Sequence, residues 1–228
     1  MQEIIVVSLG GSIIVPEKVD VSFLKKFRSL ILKYAKKNKF IIICGGSSTA
    51  RKYQTAASKI PGMSKEELDW IGIAATKLNT QLIKAIFGKL ARGDIISDPT
   101  KKINIKEIKE NIILASGWKP GWSTDYDTVL IAKQTGAKTA INLTNVDYVY
   151  DKDPRKYKDA KPIKRITWKN FRNLVGGRWE PGLNLPFDPI AAKEAEKSRI
   201  NVIIINGKNL KNLENILEKK EFVGTQIV

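Results

Sequence analysis

Arg51, Asp69 and Asp125 carry charge at positions where charge needs a reason. Arg51 closes "GGSSTAR" at residues 45–51, in the first turn of an expected helix. A cation there opposes the helix dipole unless it serves an anion. A guanidinium fits two phosphate oxygens at once; a solvated surface arginine is the plainer alternative. Asp125 follows Ser123 and Thr124 at another expected helix start. Those hydroxyls are either N-caps or, with the N–H groups of that helix end, a cradle for phosphate. A carboxylate among phosphates is repulsive unless it orients a cation, either Lys/Arg or Mg²⁺. Asp69 lies in "LDWIGIAA", otherwise apolar, one turn before Gly72. It reads equally well as a carboxylate aimed at a sugar hydroxyl and as an exposed acid near a helix start. The chain contains no histidine, which removes the usual general base and the usual transition-metal ligand. Cys–His, Ser–His and zinc-hydrolase mechanisms are excluded. Chemistry that works by positioning and charge neutralisation, such as phosphoryl transfer to an acceptor that is already anionic, remains open.

Three further stretches bear on that chemistry. "GGS" at Gly10, Gly11 and Ser12 brings bare backbone N–H groups to a strand end, where they approach phosphate or simply make a tight turn. "TNVDYVYDKDP" at 144–154 offers acids, tyrosines and a proline, fit for a base and ribose beside an aromatic wall or for a generic polar loop. "GWKPGW" at 117–122 sets two Trp among turn residues, as packing plugs or as a lid. No G-x-x-x-x-G-K-[ST] occurs, so none of these is a Walker A loop.

The elements that must position these loops alternate. Residues 3–9, 39–44, 111–116, 138–144 and 201–207 read as buried strands, and "TQIV" at 225–228 as a last one. Helical spacing marks 21–37, a long helix from Ser64 to about Leu90 opened by a Ser64–Glu67 capping box, then 128–134, 168–175, 189–199 and 209–219. A further helix is expected from about Ser48. Residues 94–110 are ambiguous and 145–187 loop-rich. Strand–helix alternation predicts a three-layer α/β sandwich with a mostly parallel central sheet. In such sheets ligands bind beyond the carboxyl ends of the strands, which is where the loops at 10–12, 45–51, 117–125 and 144–154 fall.

The bulk figures set bounds. The 228 residues suit one domain, or two halves sharing a sheet at about 1–135 and about 136–228. One cysteine and no long apolar run predict a reduced, cytoplasmic protein without membrane attachment. The net charge is +17, yet 32 of the 40 basic residues are Lys, scattered through expected helices and loops. That pattern reads as compositional bias, so nucleic acid is not an expected partner.

Taken in order, the motifs resemble the amino acid kinase family, and within it the archaeal type of the branch that phosphorylates UMP. The likeness runs through "SLGGSII", "CGGSSTARKY", "LDWIGIAATKLN", "PGWSTDYDTVLIA", "LTNVDYVYDKDPRKYKDAKPI" and "FDPIAAKEAEKSRINVIIING". The resemblance implies transfer of the ATP γ-phosphoryl to UMP, with Mg²⁺, in a homo-oligomer of hexamer type. Ser8, Gly10, Gly11, Ser47, Arg51, Thr144, Asn145, Tyr150 and Asp153 would then hold ATP. Gly46, Asp69 and the run Gly117, Trp118, Lys119, Pro120, Gly121, Trp122, Ser123 and Thr124 would hold UMP. Asp125 would organise the catalytic cations, and no residue is assigned as a metal ligand. Ser8 stands where many members carry a Lys that neutralises the transferring group. Lys119, Lys52 and Lys164 are the candidate replacements; Lys119 is preferred because Pro120 restricts its loop and Trp118 shields its charge. Tyr148 and Ser47 replace expected glycines. The stretch 176–189 has no assignment. The competing readings are a noncatalytic nucleotide sensor or store of the same fold, and another small-molecule kinase of the family.

Overall fold

The computed structural model describes residues 2–154, 156–176 and 186–228. β1 (Glu3–Leu9) leads into one helical turn, α1 (Gly11–Ile14), then α2 (Val21–Tyr34) and β2 (Asn38–Cys44). α3 (Ser47–Ala57) and α4 (Lys65–Phe87) pack on each other and precede β3 (Ala91–Ile96) and β4 (Ile112–Ala115). α5 (Thr124–Thr135) and β5 (Thr139–Thr144) follow. The next segment holds β6 (Val149–Tyr150), β7 (Pro162–Ile163), β8 (Arg165–Ile166) and α6 (Trp168–Val175). α7 (Pro189–Ser198), β9 (Asn201–Asn206), α8 (Leu210–Leu217) and β10 (Thr225–Ile227) complete the chain.

Among the described residues eight strands form one sheet in the order β3-β4-β2-β1-β5-β9-β10-β8, parallel except for the β9–β10 pair. Successive side chains of a strand face opposite ways, and the sheet is buried on both sides. Val7, Leu9, Ile42 and Leu114 pack against α2, α4 and α8. Val6, Ile41, Ile43 and Ile113 pack against α5, α6 and α7. The expected sandwich is therefore observed. Burial on both faces also explains why these strands read as unbroken apolar runs. Among the described residues no helix is long and apolar enough to cross a membrane.

Local chemistry sets the element ends. The Ser64 hydroxyl accepts the Glu67 N–H while Glu67 accepts the Ser64 N–H, which is the expected capping box. α5 begins at Thr124, at the helix start expected from Ser123–Asp125 and a full turn before the 128–134 periodicity, because Ser123 caps it by accepting the Tyr126 N–H at 3.2 Å. It stops at Gly136, whose φ of 76° suits only a residue without a side-chain clash. The ambiguous 94–110 stretch contains the end of β3, which starts at Ala91. β6, β7 and β8 were not foreseen; at two residues each they carry no periodicity to read. Residues 177–185, most of the unassigned stretch, lie outside the described residues.

The site follows from this topology. The carboxyl ends of the parallel strands β4, β2, β1 and β5 sit side by side in that order. The loops after β4 and β2 are thereby neighbours, the loop after β5 lies on the other side, and the Gly10–Gly11 loop after β1 stands between them.

Candidate functional site

Two cavities open at the expected edge. The first, of about 210 Å³, is lined by Gly46, Ser47, Ala50, Arg51 and Gln54 from α3 and its start, by Asp69, Gly72, Ile73 and Thr76 from α4, and by Gly117, Lys119, Trp122, Ser123 and Thr124. The second, of about 550 Å³, is walled by Thr144 to Asp153 with Pro154, Leu174, Val175 and Pro186, save the outward Asp147.

The first cavity joins three chain segments. Arg51 projects from the first turns of α3 and donates from its guanidinium to Ser47 Oγ at 3.4 Å. Ser47 itself has a φ of 46°, a left-handed conformation that favours glycine, which accounts physically for the glycine expected at this position. Asp69 Oδ2 accepts the Gly121 N–H at 2.8 Å, tying α4 to the loop after β4. The Thr76 hydroxyl accepts the Gly117 N–H at 2.9 Å and fixes the root of the same loop. Asn79 supports the opposite wall by donating to the Gly45 carbonyl at 2.7 Å. Between the cavities, Gly11 passes so close to the next loop that an added Cβ would stand 2.5 Å from the Gly45 carbonyl oxygen. Only glycine allows that approach.

Two carboxylates, Asp125 and Asp188, meet where α5 and α7 begin, beside Ser123 and Thr124 but outside the lining of either cavity. Asp125 is half-buried, and its Oδ2 accepts the Asp188 N–H at 3.1 Å. Withdrawal from water pushes Asp125 up to about 7; the Asp188 carboxylate adds to the rise and the Asp188 N–H opposes it. Asp188 is buried and caps α7 by accepting the Ile190 N–H at 2.7 Å. Its own pKa is raised by burial, against the Ser123 hydroxyl and the amides of Ile190 and Ala191. The Ser123 hydroxyl thus accepts from Tyr126 and donates to Asp188.

Aromatic rings stack along the loop. Trp118 and Trp122 have ring centres 6.1 Å apart, and Trp122 lies 4.2 Å from Tyr126. The Lys119 ammonium sits over the Trp118 ring at 4.1 Å and within 5.8 Å of Trp122. Of the three candidate lysines it alone lines the first cavity. Lys52 donates to the Glu17 carbonyl at 3.3 Å, and Lys164 is exposed between β7 and β8.

Thr144, Asn145, Tyr150 and Asp153 all line the second cavity. Tyr148 joins them, its ring edge-on to Tyr150 at 83° and 6.3 Å. Ser47, which the resemblance groups with the ATP residues, lines the first cavity together with Gly46 and Arg51. Ser8, Gly10 and Gly11 line neither cavity, and Trp118, Pro120 and Gly121 form the outer turn of the loop without lining it. Ser8 is buried at the end of β1. Sequence reasoning missed Gln54, Thr76, Asp127 and Asp188. Asp188 alone had a signal, the "FDP" motif, which reads as an ordinary N-cap before a proline.

The arrangement can hold an anion with a sugar hydroxyl nearby, next to a separate slot for a flat ring system. Comparison with known proteins bears on which. Residues 3–206 match the model of the amino acid kinase family. A uridylate kinase of Thermoplasma volcanium is 36% identical over 228 residues, covering 100% of this chain and 98% of the relative. A uridylate kinase of Methanospirillum hungatei is 33% identical over 98% of this chain and 94% of its own length. The crystal structure of uridylate kinase from Archaeoglobus fulgidus superposes over 100% of both chains with a TM-score of 0.84 and 30% identity.

Proposed function

The chain belongs to the amino acid kinase family, and on that footing we propose that it transfers the γ-phosphoryl group of ATP to UMP, giving UDP and ADP. The observation that carries the reading is the first cavity, where Arg51, Lys119, Asp69 and the start of α5 converge from segments far apart in sequence. Two cations and a helix N-terminus suit an anionic acceptor, and a carboxylate at the rim suits a ribose. Arg51 takes the acceptor and donor phosphates, with the backbone at Gly46 and the Ser47 hydroxyl beside it. Asp69 takes ribose hydroxyls. The loop of Gly117, Trp118, Lys119, Pro120, Gly121 and Trp122 wraps the nucleotide, and Ser123 and Thr124 present the start of α5 to its phosphate. Gly10 and Gly11 let backbone amides reach the ATP phosphates from between the cavities. The base and ribose of ATP enter the second cavity against Thr144, Asn145, Tyr150 and Asp153.

A phosphate oxygen of UMP attacks the γ-phosphorus in line as the bond to the ADP oxygen breaks. The acceptor is already anionic, so no strong base is needed, in keeping with a chain without histidine. Asp125 orients the cationic side chains around the transferring group. Lys119 supplies the charge for which Ser8 has no counterpart, by swinging from the Trp118 face to the phosphates. Among the described residues no three acidic or cysteine side chains converge to hold a metal. Mg²⁺ would come with the ATP phosphates, a setting in which a protein supplies only one or two carboxylates. The same reading carries a homohexamer in the cytoplasm, serving pyrimidine nucleotide synthesis.

A coupled spectrophotometric assay with ATP, Mg²⁺ and a panel of nucleoside monophosphates and amino acids tests this. Turnover highest with UMP is expected. Turnover confined to another acceptor would replace UMP in the reading, and tight nucleotide binding without turnover would favour a sensor.

A further inference from the structure

The loop after β4 is fastened at its root and at its tip, and open between them. Thr76 holds Gly117 and Asp69 holds Gly121 through their N–H groups at 2.9 and 2.8 Å. The Trp122 N–H closes a turn on the Lys119 carbonyl at 3.3 Å. Beneath this span lies Asp127, one turn into α5. It is fully buried, and neither carboxyl oxygen has a hydrogen-bond partner among the described residues. A buried carboxyl without a partner is costly enough to be rare in a folded core. The backbone group that faces it is the Trp118 N–H, near enough to favour the charged form though it closes no hydrogen bond. The charged groups that act on it, Asp125 and Asp98, are both carboxylates. Among the described residues no cation acts on Asp127, and burial pushes it up to about 8. A neutral carboxyl still accepts through its carbonyl oxygen.

We propose that Asp127 is a positioning residue for the loop at 117–122: as the loop closes on the acceptor, the Trp118 N–H completes a hydrogen bond to the Asp127 carboxyl and holds Trp118 and Lys119 against the nucleotide. The proposal rests on reading the first cavity as the UMP site. Its energetic basis is that the dehydration of Asp127 has already occurred in the open state. A bond formed to an already dry acceptor is worth more than one exchanged for water. α5 is a fixed base for it, because Ser123 and Asp188 lock the helix start. The loop, not the helix, moves.

Asp127→Ala and Asp127→Asn separate this role from simple packing. UMP affinity is measured by titrating tryptophan emission, since Trp118 and Trp122 ride on the loop, and KM and kcat are measured alongside. Asp127→Ala should raise the Kd and KM for UMP about tenfold, the loss of one loop-closing hydrogen bond, with kcat and the ATP KM changed by no more than about twofold. Asp127→Asn should stay within about threefold of the parent, because the carboxamide oxygen still accepts the Trp118 N–H. Unchanged UMP affinity in Asp127→Ala, or an Asn variant as weak as the Ala variant, would overturn the proposal. If the parent protein binds UMP without turning over, the phosphotransferase reading fails, and the Kd values still decide the role of Asp127. If it does not bind UMP, both fail.

Discussion

The two cavities are built on opposite plans. The first is small, about 210 Å³, and its walls come from α3, α4 and the loop after β4, cross-tied by hydrogen bonds between segments. Its distinctive groups are charges, Arg51, Lys119 and Asp69, with Asp188 tied to Ser123 of its lining and to Asp125. The second is more than twice the volume, about 550 Å³, and most of its wall is one continuous stretch from Thr144 to Pro154. Its distinctive groups are rings and aliphatic chains, Tyr148 and Tyr150 with Val146, Val149, Leu174 and Val175. A site of few, fixed charges concentrates its free energy in single groups, whereas a broad apolar slot spreads it. Substitutions in the first region should therefore be severe and alter turnover. Those in the second should be mild and alter donor affinity alone.

The sharpest test falls on Asp125. If its carboxylate orients the cations around the transferring group, Asp125→Asn should lower kcat by about 10²–10³-fold and leave UMP affinity largely intact, because charge placement counts most in the transition state. A role confined to the helix start predicts little change, since Asn is tolerated there. A folded Asp125→Asn protein with parental kcat would collapse the contrast between the regions. The pH profile is a second reading of the same residue. With Asp125 pushed up to about 7, its carboxylate fraction grows as pH rises through 7, so kcat should climb between about pH 6 and 8. The Asn variant should lose that limb. Stability should move the other way. Asp125 and Asp127 bind protons more tightly in the folded than in the unfolded chain. Their contribution is full below the unfolded value of 3.8 and is lost as pH rises through about 7 and 8. The parent should accordingly melt at lower temperature at pH 8.5 than at pH 6, and Asp127→Asn should narrow that gap.

Next in size are the two cations. Arg51→Ala should lower kcat/KM by about 2–4 kcal/mol, the loss of a charge-assisted phosphate contact. Lys119→Ala should cost about 10²-fold in kcat, as for one oriented electrostatic donor, while Lys52→Ala and Lys164→Ala cost far less. Those two lysines serve as controls because neither lines a cavity. A nucleotide complex with the Lys119 ammonium still on the Trp118 ring, out of reach of every phosphate oxygen, would remove it from the mechanism. Parental kinetics in Arg51→Ala would do the same for the arginine.

The same contrast explains what the sequence could and could not reveal. Arg51, Asp69 and the Ser123–Asp125 run are legible because each breaks a local rule: a cation at a helix start, an acid in an apolar helix, hydroxyls and a carboxylate at a glycine-rich junction. The sheet is legible because strands buried on both faces are continuous apolar runs. Thr76 and Gln54 are invisible by the same logic. A threonine or a glutamine inside a helix offends nothing, and its partner, Gly117 in one case and the Leu68 carbonyl in the other, is set by tertiary packing. Asp127 reads as one more polar residue in a helix whose burial comes from the loop above it. That Ser47 lines the smaller cavity was not legible either, because its direction depends on a φ of 46° that no residue pattern announces.

The mildest effect sharpens the contrast from the donor side. Tyr150 lines the larger cavity, and Tyr148 meets it edge-on, so that one ring braces the other. A purine stacked there would gain about 0.5–1.5 kcal/mol from one ring, which corresponds to about a 2–12-fold change in affinity. Tyr150→Ala should raise the ATP KM within that range, with the UMP KM and kcat unchanged, and Tyr150→Phe should restore it because the ring, not the hydroxyl, does the stacking. Tyr148→Gly should weaken ATP by less, since it removes the brace and leaves the platform. The order of these effects is the informative part. If Tyr148→Gly matters more than Tyr150→Ala, the base lies on Tyr148. If neither alters the ATP KM, the base lies elsewhere and the larger cavity is not a stacking slot. If either lowers kcat as strongly as Asp125→Asn, the division into a charged region that governs turnover and an aromatic one that governs donor affinity is wrong.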